Sequence, residues 1–120
     1  MATLSKVLLS GCTQGTGIKL TDTGTSGNTD AGYLIHTAVT GTTDIDEVWL
    51  YASNVNTAAV VLTVEFGGVD TDDKIIATIQ PNETVLVVPG FPIHNGLFVK
   101  AFASVANVIN VFGYVNRMDI

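Results

Sequence analysis

Nucleophilic catalysis needs a nucleophile beside a base, and this 120-residue chain offers one cysteine and two histidines for the purpose. Cys12 and His94 with an aspartate would form a nucleophile–base set, the imidazole drawing the proton from the thiol. No local spacing ties the two together. His36 stands mid-strand between Ile35 and Thr37, and His94 follows Pro92 in a loop, so both read as structural histidines. The whole sequence holds three glutamates, which leaves little for a paired-carboxylate acid–base site. The expectation is a protein without a catalytic centre and without a cofactor.

Ligand motifs are equally thin. Gly11-Cys12-Thr13-Gln14-Gly15-Thr16-Gly17-Ile18-Lys19 has the glycine content of a phosphate loop. It lacks the Gly-Lys-Ser/Thr ending and the following helix whose N-terminus would hold the anion. Asp70, Asp72 and Asp73 follow the Gly67-Gly68 turn and offer hard oxygen ligands of the kind Ca²⁺ takes, but an EF-hand's central glycine and distal glutamate are missing. Asp44-Ile45-Asp46-Glu47 is a second acidic group. Both read as solvated acidic turns, so no metal is expected. Leu9-Ser10-Gly11-Cys12 has the small-residue form of a lipoprotein cleavage site. The apolar stretch before it is only Val7-Leu8-Leu9, too short for a signal, and a strand running into a loop is expected instead. Asn82-Glu83-Thr84 fits a glycosylation acceptor, with nothing else pointing to a secretory route.

Aromatic and apolar side chains are the remaining binding candidates. Trp49 and Tyr51 alternate onto one strand face, where flat rings can grip a sugar or cover a core or subunit contact. Phe91 and Ile93 flank Pro92 at the end of Pro89-Gly90-Phe91-Pro92, read as a stiff corner able to dock onto protein with little loss of entropy; internal packing under the sandwich is the alternative.

The elements that would carry these residues are strands. Val, Ile and Thr supply 41 residues, against 21 for Leu, Met, Glu, Gln, Lys and Arg together. Cβ branching restricts χ1 and suits a pleated surface. Twelve glycines and eight asparagines supply turns with positive φ. Strands are predicted at residues 2–10, 33–39, 47–53, 58–66, 74–79, 84–88, 97–103 and 108–115. A single helical turn is predicted at 104–107. Eight strands at this spacing predict one all-β domain, an antiparallel sandwich of jelly-roll type. Residues 11–32 differ: sixteen of the 22 are Gly, Thr, Ser, Asn or Asp. They predict either a surface loop or an extended Gly/Thr-rich arm reaching across a neighbour, with Ile18 and Leu20 as pegs. The chain therefore divides into 1–32, strand plus arm, and 33–120, sandwich.

Net charge is −6. Such a chain repels phosphate backbones and anionic lipid, so neither nucleic acid nor membrane is an expected partner. Only 13% of residues are charged while 47% are hydrophobic, which points to surface covered by other protein.

The order of segments after residue 44 is distinctive. Asp46-Glu47-Val48-Trp49-Leu50-Tyr51-Ala52-Ser53-Asn54 is followed by a valine-rich strand ending Val64-Glu65-Phe66-Gly67-Gly68. The Asp cluster, an Ile-rich strand, Pro81-Asn82-Glu83-Thr84-Val85 and Pro89-Gly90 come next. Asn95-Gly96 then precedes Leu97-Phe98-Val99-Lys100-Ala101-Phe102-Ala103, and Ala106 to Arg117 closes the series. Over residues 44–118 this resembles the small β-sandwich virion proteins of tailed bacteriophages, especially head decoration (cement) proteins; similar modules occur on tails and fibres. The resemblance implies no catalytic residues. It implies homo-oligomers, often trimers, that sit on the outer capsid surface, bind the major capsid protein and stabilise the shell. On that footing shell contacts are expected in residues 2–32, with Leu4, Ile18 and Leu20 as anchors, and Phe91 and Ile93 as a second patch between subunits. The alternative is a tail or fibre module that holds host glycan on Trp49 and Tyr51.

Overall fold

The computed structural model describes residues 2–24 and 33–120. Its strands are β1 (Thr3–Leu8), β2 (Ile18–Lys19), β3 (Tyr33–Thr37), β4 (Ile45–Asn54), β5 (Val60–Phe66), β6 (Lys74–Ile79), β7 (Thr84–Ile93), β8 (Phe98–Ala103) and β9 (Ile109–Asp119). A 3-10 turn at Thr71–Asp73 precedes β6. The protein is all-β, with two antiparallel sheets packed as a sandwich. Five strands form one sheet in the order β1-β9-β4-β7, with β2 also on β9; four form the other in the order β3-β8-β5-β6. Among the described residues no helix is long and apolar enough to cross a membrane.

Period-2 patterning explains the layers. Along β4 every second residue is buried: Asp46, Val48, Leu50, Ala52 and Asn54. Their neighbours Val111 and Val115 on β9 point the same way, toward Val60, Leu62 and Val64 of the opposite sheet. Each such side chain is worth roughly 1.5–3 kcal/mol when withdrawn from water. A bulge in β3 between Leu34 and His36 turns two successive residues, Ile35 and His36, toward the interior.

Three expectations need correction. Pro89-Gly90-Phe91-Pro92 is not a corner: β7 runs straight through it, paired to β4 as far as Ile93, with register breaks opposite Val48/Trp49 and Leu50/Tyr51. Among the described residues β7 pairs only β4, so the missing proline N–H groups interrupt no second ladder. Residues 104–107 form bends and a turn rather than a helical turn, with Asn107 at φ 67°.

The third concerns the polar stretch. Residues 25–32 of the expected arm lie outside the described residues. Within 11–24 the chain is stitched to the body. Leu20 donates to Ile109 O and accepts from Asn107 N, both at 2.9 Å, and Asp22 O accepts from Ala103 N at 3.2 Å. The segment therefore crosses from β9 in one sheet to β8 in the other. Ile18 and Leu20 are buried beneath it, 4% and 0% exposed. They plug the sandwich and offer nothing to an outside surface.

Candidate functional site

The outer face of the five-stranded sheet carries four of the exposed large apolar side chains, Leu4, Leu8, Leu86 and Phe112, in rows that run across its strands. Paired residues share a face in an antiparallel ladder. One row runs Leu8, Tyr114, Trp49, Pro89 across β1, β9, β4 and β7. The next runs Phe112, Tyr51, Leu86. On the other side of the first lies Lys6, Asn116, Glu47, Pro92, and then Leu4, Met118, Ile45. Leu4 is 66% exposed, Leu8 55%, Leu86 46% and Phe112 41%. Trp49, Tyr51 and Tyr114 between them are half-buried.

The polar groups on this face hold the aromatics in place. The Trp49 and Tyr114 rings lie near-parallel, 13° apart with centroids at 6.2 Å. The Trp49 indole N–H donates to Glu47 Oε1 at 2.8 Å, and Asn116 Nδ2 donates to the same oxygen at 3.2 Å. Those two hydrogen bonds hold the Glu47 carboxyl below its ordinary pKa. Lys6 Nζ sits 4.5 Å from the Tyr114 ring centroid. The indole rests on Gly90, where a Cβ would come within 2.8 Å of Trp49 Cζ2 at a φ of +77°. Gly90→Ala is therefore expected to cost about 1–3 kcal/mol in strain and displacement. It should also red-shift the emission of the chain's single tryptophan; an unchanged spectrum and urea midpoint would contradict this packing.

A second polar constellation lies inside. Asp46 is fully buried, and its carboxylate accepts from His36 Nε2 at 2.8 Å, Val39 N at 3.0 Å, and Arg117 Nε and an Arg117 terminal N at 2.7 and 3.0 Å. The Ser10 N–H donates to His36 Nδ1 at 3.1 Å, so the proton of the neutral ring is on Nε2, facing Asp46. Burial pushes the Asp46 carboxyl up; Arg117, His36 and the Val39 N–H together outweigh it and bring the pKa below its ordinary value. Both imidazole nitrogens are occupied and the ring is 1% exposed, so the group holds two sheets together and presents no open position to a substrate. The reading of Asp44–Glu47 as a solvated acidic turn is corrected here: Asp46 belongs to the interior.

The other expected residues fall as follows. Leu4 is on the surface. Phe91 is 40% exposed and meets Phe66 edge-on at 6.1 Å, while Ile93 is 7% exposed and part of the core, so the two do not form one outward patch. Cys12 and His94 line different hollows, one of about 240 Å³ in the Gly11–Thr21 loop, the other of about 260 Å³ beside Ile45 and Pro92. Asp70, Asp72 and Asp73 place carboxylate oxygens within 4.8 Å of one another. Asp73 already serves the turn itself: its carboxylate accepts from Asp70 N at 3.3 Å, and its N–H donates to Asp70 O at 3.0 Å.

Sequence reading missed the Asp46–Arg117–His36 group and the extent of the outer apolar face. Counting back in twos from Ala52 reaches Asp46, and counting forward in twos from Val111 reaches Arg117, so parity held the signal for the first. Comparison with protein-family models, curated protein sequences and solved structures finds no match to this chain.

Proposed function

We propose that this chain is a virion structural protein, a capsid decoration protein that binds the assembled shell from outside through the major capsid protein and stabilises it as a homo-oligomer. The observation that carries the reading is the outer face of the five-stranded sheet, where Leu4, Leu8, Leu86 and Phe112 stand exposed around half-buried aromatics. The apolar part of this face, Leu8, Leu86 and Phe112 around Trp49, Tyr51 and Tyr114, with Leu4 beyond the polar Lys6–Asn116–Glu47 row, suits a surface that another protein covers. The strand order also supports a jelly-roll description: β1 and β2 together take one place, so that two layers of four face each other, an arrangement found in viral capsid and lectin domains. The trimer remains what the resemblance implies. A protein that binds only the assembled shell raises the free energy needed to open it, and many modest contacts act together.

The test mixes purified protein with expanded, undecorated shells and sediments them. Wild type is expected to pellet with the shells, and Phe112→Lys/Leu86→Lys to lose about tenfold or more in apparent affinity. Wild type left in the supernatant would overturn the reading. The rival, a glycan-binding tail module on Trp49 and Tyr51, is the weaker one. The Trp49 N–H is already bonded to Glu47 and its ring lies on Gly90, which leaves less of the indole for a sugar.

A further inference from the structure

Both ring nitrogens of His36 are engaged, each by a different part of the chain. Nε2 donates to Asp46 Oδ2 at 2.8 Å, on the side of the five-stranded sheet. Nδ1 accepts from the Ser10 N–H at 3.1 Å, in the turn that follows β1. The second bond clips that turn onto β3. Beside it Thr37 N donates to Ser10 Oγ at 2.6 Å, and Gly11 N donates to Ile35 O at 2.9 Å. The turn lies so close to the strand that a Cβ on Gly11 would run into the carbonyl oxygens of Leu34 and Ile35.

A neutral imidazole that donates through Nε2 can take a further proton only on Nδ1. The charged ring would then aim an N–H at the N–H of Ser10, and a hydrogen bond becomes a contact between two donors. The two sides of the ring differ in how readily they give way. Asp46 on β4 is gripped by Arg117 Nε and a terminal nitrogen from β9 and by Val39 N, and a positive ring strengthens its hold. Asp44 acts on the charge of Arg117 from farther out. From β8 the ladder partner of His36 is Val99, which carries no charge. Among the described residues Asp46 is the one charged group bonded to the ring. On the other side Ser10 is exposed, and so are residues 13–17.

We propose that His36 is a proton-operated clip: when Nδ1 takes up a proton, residues 10–12 let go of β3 while Asp46 and Arg117 keep the sheets together. Leu9 and Ile18 are buried and anchor both ends of the segment, so the opening is confined to residues 10–17. It uncovers the Ile35 carbonyl and the Thr37 N–H and admits water to the ring. The closed turn excludes the proton and the open turn accepts it, so acid favours opening, by up to tenfold per unit of pH. Imidazoles in contact with water charge between pH 8 and pH 5. Asp46 stays ionised over that range, because its pKa lies below 3.8.

The inference is independent of the virion reading, and its test uses the free protein without shells. Amide hydrogen exchange is followed by NMR at pH 7.5 and pH 5, each rate divided by the intrinsic rate at that pH. Protection of Ser10, Gly11 and Thr37 is expected to fall together, by about tenfold or more. The Leu20 and Asn107 amides, bonded to Ile109 O and Leu20 O, are expected to keep theirs. The ring resonances of His36 should move over the same interval. His94→Gln, which removes the other histidine and leaves the clip untouched, should preserve the response. Unchanged protection of Ser10 and Gly11 at pH 5 would overturn the proposal. So would a loss shared by every amide, which is global unfolding, or a response that vanishes in His94→Gln.

Discussion

Asp46→Ala is expected to lower the unfolding free energy by about 3–5 kcal/mol, because it breaks a buried ion pair from one side only. His36 is 1% exposed and cannot turn to water for a replacement acceptor; the Val39 N–H loses its partner as well. Arg117, one-third exposed, recovers part of its hydration. Most small domains have 5–15 kcal/mol in all, so the variant should be close to unfolding at ambient temperature. The check is the urea midpoint, at an unchanged slope. A pH series adds a signature that a simple cavity would lack. The folded-state pKa of Asp46 lies below its ordinary value of 3.8, so its contribution is complete above about pH 4 and is lost as pH falls through the lowered value. Wild type should therefore lose stability on acidification more steeply than Asp46→Asn, and parallel curves would refute the assignment.

Gly113→Ala is the other large effect, and it works through the backbone. Gly113 sits opposite Leu50 where β9 crosses β4, and an added Cβ would stand 2.0 Å from the carbonyl oxygen of Trp49. Nothing there can rotate aside; the two strands must separate. They pair over ten residues, so the displacement spreads along the centre of the sheet. The expected cost is about 3 kcal/mol, the upper end for overpacking, read as a fall of about 10 °C or more in Tm. A Tm within experimental error of wild type would show that the strands are already farther apart.

Much of the architecture was legible because Cβ branching and alternation act locally. Val48, Leu50 and Ala52 could be placed on one face and Trp49 and Tyr51 on the other from spacing alone. What escaped depended on neighbours. Proline breaks a strand that has partners on both sides, and nothing in Pro89-Gly90-Phe91-Pro92 says that β7 has only one. Ile18 and Leu20 read as pegs of an arm because they stand alone among polar residues; their destination is set by β9 and β8, some ninety residues away. Asp46 looked like one member of an acidic turn, although its parity with Val48 put it inside. Its partner Arg117 is 71 residues off, and no local pattern joins them. The outer face was visible only as pairs of aromatics on single strands, since the rows that join them run across strands, perpendicular to the chain.

The pairing of β1 and β2 with β9 has a consequence for biosynthesis. β9 is the neighbour shared by β1, β2 and β4, and it is the last of the described strands to be synthesised. β1 and β2 are made early but have no strand partner until β9 appears. Closure over such long sequence separations is entropically slow, and it makes completion of the five-stranded sheet wait for β9. A chain arrested before residue 109 would carry β1 and β4 as raw, sticky margins, prey for chaperones and proteases.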